Sequence, residues 1–328
     1  MLKLLANRIY AVAESALVRF VFGTGAVMFL CLRLKLVDRF QAASLHVAMG
    51  YATIGLVLTF CLIAVRAWRW NIILGAIGSP LSAGQLARIY GSSFFLGLVS
   101  PGRAGELVRV WMVRDNANGL IPAAFSIAFD RAFDLVPNFL MVGVFAAALS
   151  VGDAVTVVRA LFVLSGLALV WMLAHPRAMQ RIVERVAAKL LRRLHVQDVG
   201  TEAEHDMPSI RGRTLACATG ISVGSQALAV VQMYFLARAV GIDIGPLVLY
   251  GVVSMATLVA SLPVSVAGIG TREATVIFAL TSLGASTGQA ISFSLLWLIN
   301  FVAMLVISFG FFASRPRHLK FSPHVLRP

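Results

Sequence analysis

Three short stretches of this sequence carry charges that hydrocarbon would not accept unpaired. They are SPGRAGELVRV (Ser100 to Val110), FDRAFDLVPNF (Phe129 to Phe139) and GIGTRE (Gly268 to Glu273), each set in strongly apolar surroundings. Together they supply Arg103, Glu106, Arg109, Asp130, Arg131, Asp134, Arg272 and Glu273, four arginines against four carboxylates. An ionised side chain at the centre of a bilayer costs roughly 2.5 to 3.5 kcal/mol on insertion scales. A network whose formal charges cancel is what a low-dielectric site tolerates. The guanidinium fork suits bidentate contacts to phosphate or carboxylate, and half-helix N-termini after Gly102 and Gly270 would add backbone donors. The expected chemistry is therefore recognition of an anionic group rather than of an inorganic cation. A structural alternative is available for part of the set. Asp130 and Asp134 lie at i and i+4 with Arg131 three residues before Asp134, so this trio could neutralise itself and pin its helix to neighbours.

Catalytic patterns are weak by comparison. The six histidines are scattered without metal-ligand spacing. GIGTRE lacks the third glycine and preceding strand of a dinucleotide fingerprint, and GRAGE lacks the Lys-Ser/Thr of a phosphate loop. Acid-base work by Asp130 or Glu106 stays open as an alternative. The expectation is a protein that is not an enzyme and uses neither cofactor nor metal.

The elements that must position these charges are membrane helices. The chain of 328 residues is 59% hydrophobic and 13% charged, with a mean hydropathy of +0.87. Soluble domains are roughly 45 to 50% apolar. Continuous apolar runs predict an all-α polytopic membrane protein rather than a barrel. Full spans are expected at about Ser15 to Leu36, Leu45 to Val65, Ile121 to Ser150, Val155 to Ala174, Thr214 to Val240 and Thr287 to Ala313. Two further stretches, Ala83 to Val113 and Pro246 to Leu283, are broken by Pro101, Gly102 and Gly105 and by Pro263, Gly268 and Gly270. Proline removes a donor and glycine permits non-helical angles, which predicts two re-entrant helical hairpins.

The net charge of +14 is explained by topology and anionic headgroups, since no polar domain could carry a nucleic-acid surface. If both hairpins re-enter, the N-terminus, residues 66–114, residues 175–213 and the C-terminal tail share the basic, cytoplasmic side. Arg33, Lys35 and Arg39 are the exception. Arg66-Ala-Trp-Arg-Trp70 reads as an aromatic and basic interface anchor ending the second span. Met179, Ile182, Val183, Val186, Leu190 and Leu194 recur at helical spacing opposite a basic face, so Pro176 to His195 is expected to lie on the cytoplasmic leaflet. The segment from His205 to Pro208 is a polar linker. Cys31, Cys61 and Cys217 show no disulfide or zinc spacing and are expected to be packing residues. No cleaved signal peptide is indicated.

The punctuation of the two broken stretches repeats. Gly78 to Pro101 spans 23 residues and Gly241 to Pro263 spans 22; Glu106 to Ser126 spans 20 and Glu273 to Ser292 spans 19. Arg131 and Asp134 then correspond to Trp297 and Asn300. The expectation is one membrane domain of two units, about 45–150 and 214–313, joined by a connector at about 176–213. Entered from opposite sides, the units form an inverted repeat around a midplane site.

The motifs RAWRW, SFFLGLVSPGRAGELVRVWMV, FSIAFDRAFDLV and GIGTREATVIFALTSLGAS occur in that order. They resemble the flippase-like membrane domain of bacterial lysylphosphatidylglycerol synthetases and its stand-alone relatives, from Arg66 to Phe312. Those relatives include hopanoid-biosynthesis-associated membrane proteins and the membrane part of some archaeal glycosyltransferases. The resemblance implies lipid movement between leaflets through a cavity lined by two re-entrant helical elements; with the basic-residue distribution, the expected location is a bacterial inner membrane with both termini cytoplasmic. It assigns roles to Arg103, Glu106 and Arg109, to Asp130 and Arg131, and to Arg272 and Glu273. Trp297 departs from the arginine that family members often carry there, which bears on lipid specificity. The soluble aminoacyl-transferring domain is not expected, and a homodimer is implied by the resemblance alone. The implied partner is a membrane lipid with an anionic or phosphate-containing headgroup, with a lipid-modifying enzyme as a further candidate partner. Alternatives are a non-transporting scaffold beside such an enzyme, or a handler of hopanoid or polyprenyl lipids. No nucleotide site is visible, which favours facilitated or ion-coupled movement.

Overall fold

The computed structural model describes residues 42–100, 104–117, 119–148, 152–193, 210–262 and 270–314. Among these residues there are ten α-helices and no strand. They are α1 (Ala42–Ala76), α2 (Ala83–Val99), α3 (Val108–Val113), α4 (Leu120–Ala148), α5 (Gly152–Ala174), α6 (Pro176–Arg193), α7 (Gly212–Ala239), α8 (Pro246–Ala260), α9 (Thr271–Ser282) and α10 (Thr287–Ala313). A single 3-10 turn, Ala104–Leu107, precedes α3. The expected span at Ser15 to Leu36, the Arg33, Lys35 and Arg39 exception, and the His205 to Pro208 linker lie outside the described residues.

The protein is an all-α, multi-pass membrane protein. Thr53–Ala76, Gly212–Ala239 and Thr287–Ala313 are each long and apolar enough to cross a bilayer. Helix α4 has 29 residues, about 43 Å at 1.5 Å per residue, but carries three charges in its middle. Those charges survive there because they are paired. Helices α5 and α6 meet at 103°, so α6 turns sharply across the end of α5. Met179 is buried on α6 and Val183 packs beside it, whereas Ile182 and Val186 are exposed near the exposed Arg181, Arg185 and Lys189.

The first departure from the sequence reading is the length of α1, which runs to Ala76 instead of stopping at Val65. Its stop is set by Gly78 at φ +83°, with Ser79 N–H donating to Leu74 O at 2.9 Å and Gly78 N–H to Gly75 O at 3.1 Å. Helix α7 ends identically. Gly241 sits at φ +72°, and Ile242 N–H donates to Ala237 O at 2.9 Å. A left-handed residue closing a helix by a six-to-one bond is the position where glycine avoids a Cβ penalty. The recurring glycine in the sequence therefore marks two equivalent helix stops.

The order helix, broken hairpin, helix occurs twice, as α1 to α4 and α7 to α10. The contacts follow the same exchange: α1 packs on α7, α2 on α10 and α8 on α4. Helices α1 and α7 run antiparallel, since Arg69 meets Ser222, Thr59 meets Gln232 and Tyr51 meets Phe235.

Glycine sets how closely the first hairpin closes. A Cβ on Gly105 would stand 2.1 Å from Leu96 O, and one on Gly97 would stand 2.3 Å from Glu106 Cγ. Gly105 N–H donates to Ser100 Oγ at 2.7 Å, tying the turn to the end of α2. Because the obstacle at Gly105 is backbone, Gly105→Ala is expected to push the 3-10 turn off α2 and to cost about 1 to 3 kcal/mol. A lowered melting temperature in detergent checks this, and an unchanged one refutes the close approach.

Cys61 and Cys217, expected to pack inside, are instead exposed free thiols on the outer faces of α1 and α7. In a membrane an apolar thiol is as well accommodated against lipid as in a core, so residue type alone did not decide the side.

Candidate functional site

Arg69, Arg109 and Asp130 are each fully buried, with Glu106 and Asp134 nearly so. They gather where α1, the first hairpin and α4 meet. Residues 66, 69, 70 and 73 share one face of α1, and that face points inward, while Trp68 points outward and is exposed. The RAWRW stretch is therefore not an interface anchor: it is the middle of a buried seam.

Arg69 is the hub. Its Nε donates to Asp130 Oδ1 at 2.9 Å, its Nη2 to Asp134 Oδ1 at 2.8 Å and to the Asp130 carbonyl at 3.1 Å, and its Nη1 to Ser222 Oγ at 3.4 Å. The spacing of Asp130 and Asp134 puts both carboxylates on the same side of α4, where one guanidinium fork spans them. Arg66 adds a looser contact to Asp134 at 3.6 Å. Ser222 has a second task. Pro137 lies inside α4 and lacks an N–H, so the carbonyl of Phe133, four residues earlier, loses its helical donor. Ser222 Oγ donates to that carbonyl at 3.2 Å. A hydroxyl from a neighbouring helix is how a proline-broken ladder is completed in a membrane.

Glu106 and Arg131 form a direct ion pair between the first hairpin and α4. Arg131 also approaches Asp134 at 3.6 Å. The self-neutralising trio expected on α4 is thus only part of the arrangement, because Arg131 has its closer carboxylate on another element. Arg109 lies 3.6 Å from Glu106 and 3.8 Å from Asp130. Its guanidinium faces the rings of Trp70 at 4.9 Å and Tyr90 at 4.7 Å. None of its three nitrogens has a hydrogen-bond acceptor among the described residues.

The second hairpin is arranged differently. Gly270, at φ +88°, opens α9, and its N–H donates to Glu273 Oε2 at 2.6 Å. Glu273 Oε1 accepts from Arg272 Nε at 3.0 Å and from Nη2 at 2.6 Å. The Arg272 guanidinium faces Trp297 at 4.9 Å and Phe301 at 4.6 Å. The N-terminus of α9, expected to attract a substrate anion, is thus already occupied by Glu273 of the same chain. Trp297 gains a reason as well. Where Arg131 pairs with Glu106 in the first unit, the matching carboxylate Glu273 pairs with its neighbour Arg272, and an aromatic face replaces a second cation. Asn300, the counterpart of Asp134, is buried and neutral.

Of the residues singled out in the sequence, the structure brings Glu106, Arg109, Asp130, Arg131 and Asp134 into one cluster and sets Arg272 with Glu273 as a pair. Arg103 lies outside the described residues, as do Pro101, Gly102, Pro263 and Gly268. Among the described residues this segment begins with the 3-10 turn and the six-residue α3, too short for an N-terminal anion site. Arg66, Arg69, Trp70, Tyr90 and Ser222 were missed as site residues. The available signal was the apolar period carried on by Trp70, Ile73, Leu74 and Ile77 up to Gly78.

Among the described residues the first cluster therefore holds four guanidiniums, of Arg66, Arg69, Arg109 and Arg131, against the three carboxylates of Glu106, Asp130 and Asp134. Of the eight charges expected from sequence, Arg103 lies outside the described residues and Arg272 with Glu273 sit apart from this cluster, which Arg66 and Arg69 join. Residues 16–308 match the family described as lysylphosphatidylglycerol synthase TM region. The chain belongs to this family. Two curated relatives are consistent with that membership. The chain is 29% identical over 270 residues to a protein named glycosyltransferase AglD of Haloferax volcanii, covering 69% of this chain and 43% of the relative. It is 22% identical over 276 residues to a UPF0104 membrane protein of Methanothermobacter thermautotrophicus, covering 74% of this chain and 77% of the relative. This chain thus spans less than half the length of the first relative.

Proposed function

We propose that this family member is a flippase-like transporter that carries a lipid with an anionic or phosphate-containing headgroup between leaflets. The observation that carries the reading is Arg109: a fully buried guanidinium with no hydrogen-bond acceptor among the described residues, in a cluster whose described members are four guanidiniums and three carboxylates. Long ion-pair contacts without hydrogen bonds compensate a buried charge poorly, and an incoming phosphate would supply the acceptors. Arg131 and Arg66, each about a quarter exposed, would guide the headgroup toward it.

The antiparallel pairing of α1 with α7 supports an inverted repeat, in which the first hairpin forms the charged half of the path and Arg272 with Glu273 the second half. On this reading the chain sits in a bacterial inner membrane with both termini in the cytoplasm. It performs no covalent chemistry and exchanges lipid with enzymes that modify it. The test is reconstitution in liposomes containing fluorescent phosphatidylglycerol or phosphatidylcholine, with leaflet exposure followed by dithionite quenching. Faster movement of the anionic lipid than in protein-free liposomes is expected. Equal rates for the two lipids, or none above background, would sink the reading.

A further inference from the structure

An apolar groove of about 200 Å³ lies between α1, α2 and α10. Its walls include Ala64, Ala87, Tyr90, Gly91 and Phe311. Ala64 and Ala87 are exposed into it, whereas Gly91 closes its floor, since a Cβ there would meet Phe311 at 2.7 Å. Tyr90 is the point that matters. It lines the groove, yet it is nearly fully buried, and its ring stacks under the Arg109 guanidinium at 4.7 Å. One aromatic ring therefore separates a hydrocarbon-compatible channel from a buried cation that has no hydrogen-bond acceptor among the described residues.

We infer that this groove holds one hydrocarbon chain of the lipid whose headgroup sits on Arg109. The inference rests on the anion-site reading of Arg109 and extends it to the tail. Between lipid-facing helices there is no hydrophobic gain in moving a chain from bilayer into a groove. The groove instead supplies a route. A headgroup entering the helix bundle must leave its chains in apolar surroundings, because packing them among unpaired ionic groups would desolvate those groups without compensation. The groove begins at the ring over which the headgroup would sit, and it opens toward the bilayer beside the half-exposed Phe60. Small side chains at 64 and 87 leave the width that a chain needs.

The test uses the full chain in phosphatidylcholine nanodiscs containing phosphatidylglycerol with a diazirine on one acyl chain. Ultraviolet adducts are mapped by mass spectrometry. The expected adducts fall on the peptides bearing residues 83–94 and 304–311. Ala87→Phe, which fills the groove from an exposed position, is expected to lower them about ten-fold, equivalent to about 1.4 kcal/mol. Ala64→Phe repeats the test from the opposite wall in case either variant folds poorly. Adducts spread equally over the lipid-facing side of α5, or equal labelling by a phosphatidylcholine analogue, would overturn the proposal, since both describe ordinary boundary lipid. Failure of the underlying reading is distinguishable. If Arg109→Gln leaves labelling by the phosphatidylglycerol probe unchanged while Ala87→Phe abolishes it, the groove binds a chain without the headgroup contact, and the link between them is refuted.

Discussion

Arg69→Met is expected to lower stability by about 3 to 5 kcal/mol, the usual cost of removing one partner from a buried ionic set. That is a large share of the roughly 5 to 15 kcal/mol by which proteins are stable at all. Methionine fills much of the same volume, so the loss is electrostatic. Asp130 Oδ1, Asp134 Oδ1, the Asp130 carbonyl and Ser222 Oγ would lose their shared donor together. The measurement is the melting temperature of the detergent-solubilised protein. A second variant separates charge from packing: Arg69→Met with Asp130→Asn keeps the cluster's charge excess at one and should recover part of the loss. If Arg69→Met melted like the wild type, Arg69 would not be the hub that its contacts describe.

Arg109→Gln is expected to give the opposite pattern. Arg109 is as buried as Arg69, but it makes no hydrogen bond among the described residues. Its removal forfeits ring stacking on Trp70 and Tyr90 and the longer ion-pair contacts to Glu106 and Asp130. Stability should fall by about 2 kcal/mol, the scale of a desolvated cation–π contact and less than for Arg69→Met. Transport is where the loss should appear. Two charge-assisted hydrogen bonds to a phosphate, at about 1.5 to 3 kcal/mol each, correspond to a loss on the order of a hundred-fold or more in affinity. Arg109→Lys should fall between, because it keeps the charge and loses the planar fork. Leaflet exchange of fluorescent phosphatidylglycerol, read beside the melting temperature, checks the pair. A variant that unfolds yet still transports at the wild-type rate per folded molecule would reverse the assignment.

The contrast between these two arginines also measures what the sequence disclosed. Local order was legible: α10 begins and ends where the apolar run predicted, and the amphipathic character of α6 showed in its spacing. Arg69 was not legible. A hydropathy pattern treats a charge as the end of a span, and the partner that removes the penalty, Asp130, lies 61 residues away. Only the unbroken helical period up to Gly78 argued against the stop. Membership of the cluster was hidden for the same reason. The eight charges were chosen by motif, whereas the seven that meet among the described residues were selected by helix faces, which brought in Arg66 and Arg69 and set Arg272 with Glu273 apart. Trp297 looked like a missing contact and proves to be the face on which Arg272 rests.

The hydroxyl of Ser222 has a bearing on biosynthesis. The Phe133 carbonyl that Pro137 leaves open on α4 is closed by a residue 89 positions later in the chain, and the same residue completes the set of acceptors around Arg69. At roughly 5 to 20 residues per second, ribosomal synthesis delivers Ser222 several seconds or more after Pro137. During that interval the first unit is in the bilayer with its seam unfinished. Insertion of α7 is then the step that seals it, so a ribosome stalled between the two units would release a membrane protein with an open polar edge, a substrate for quality-control proteolysis.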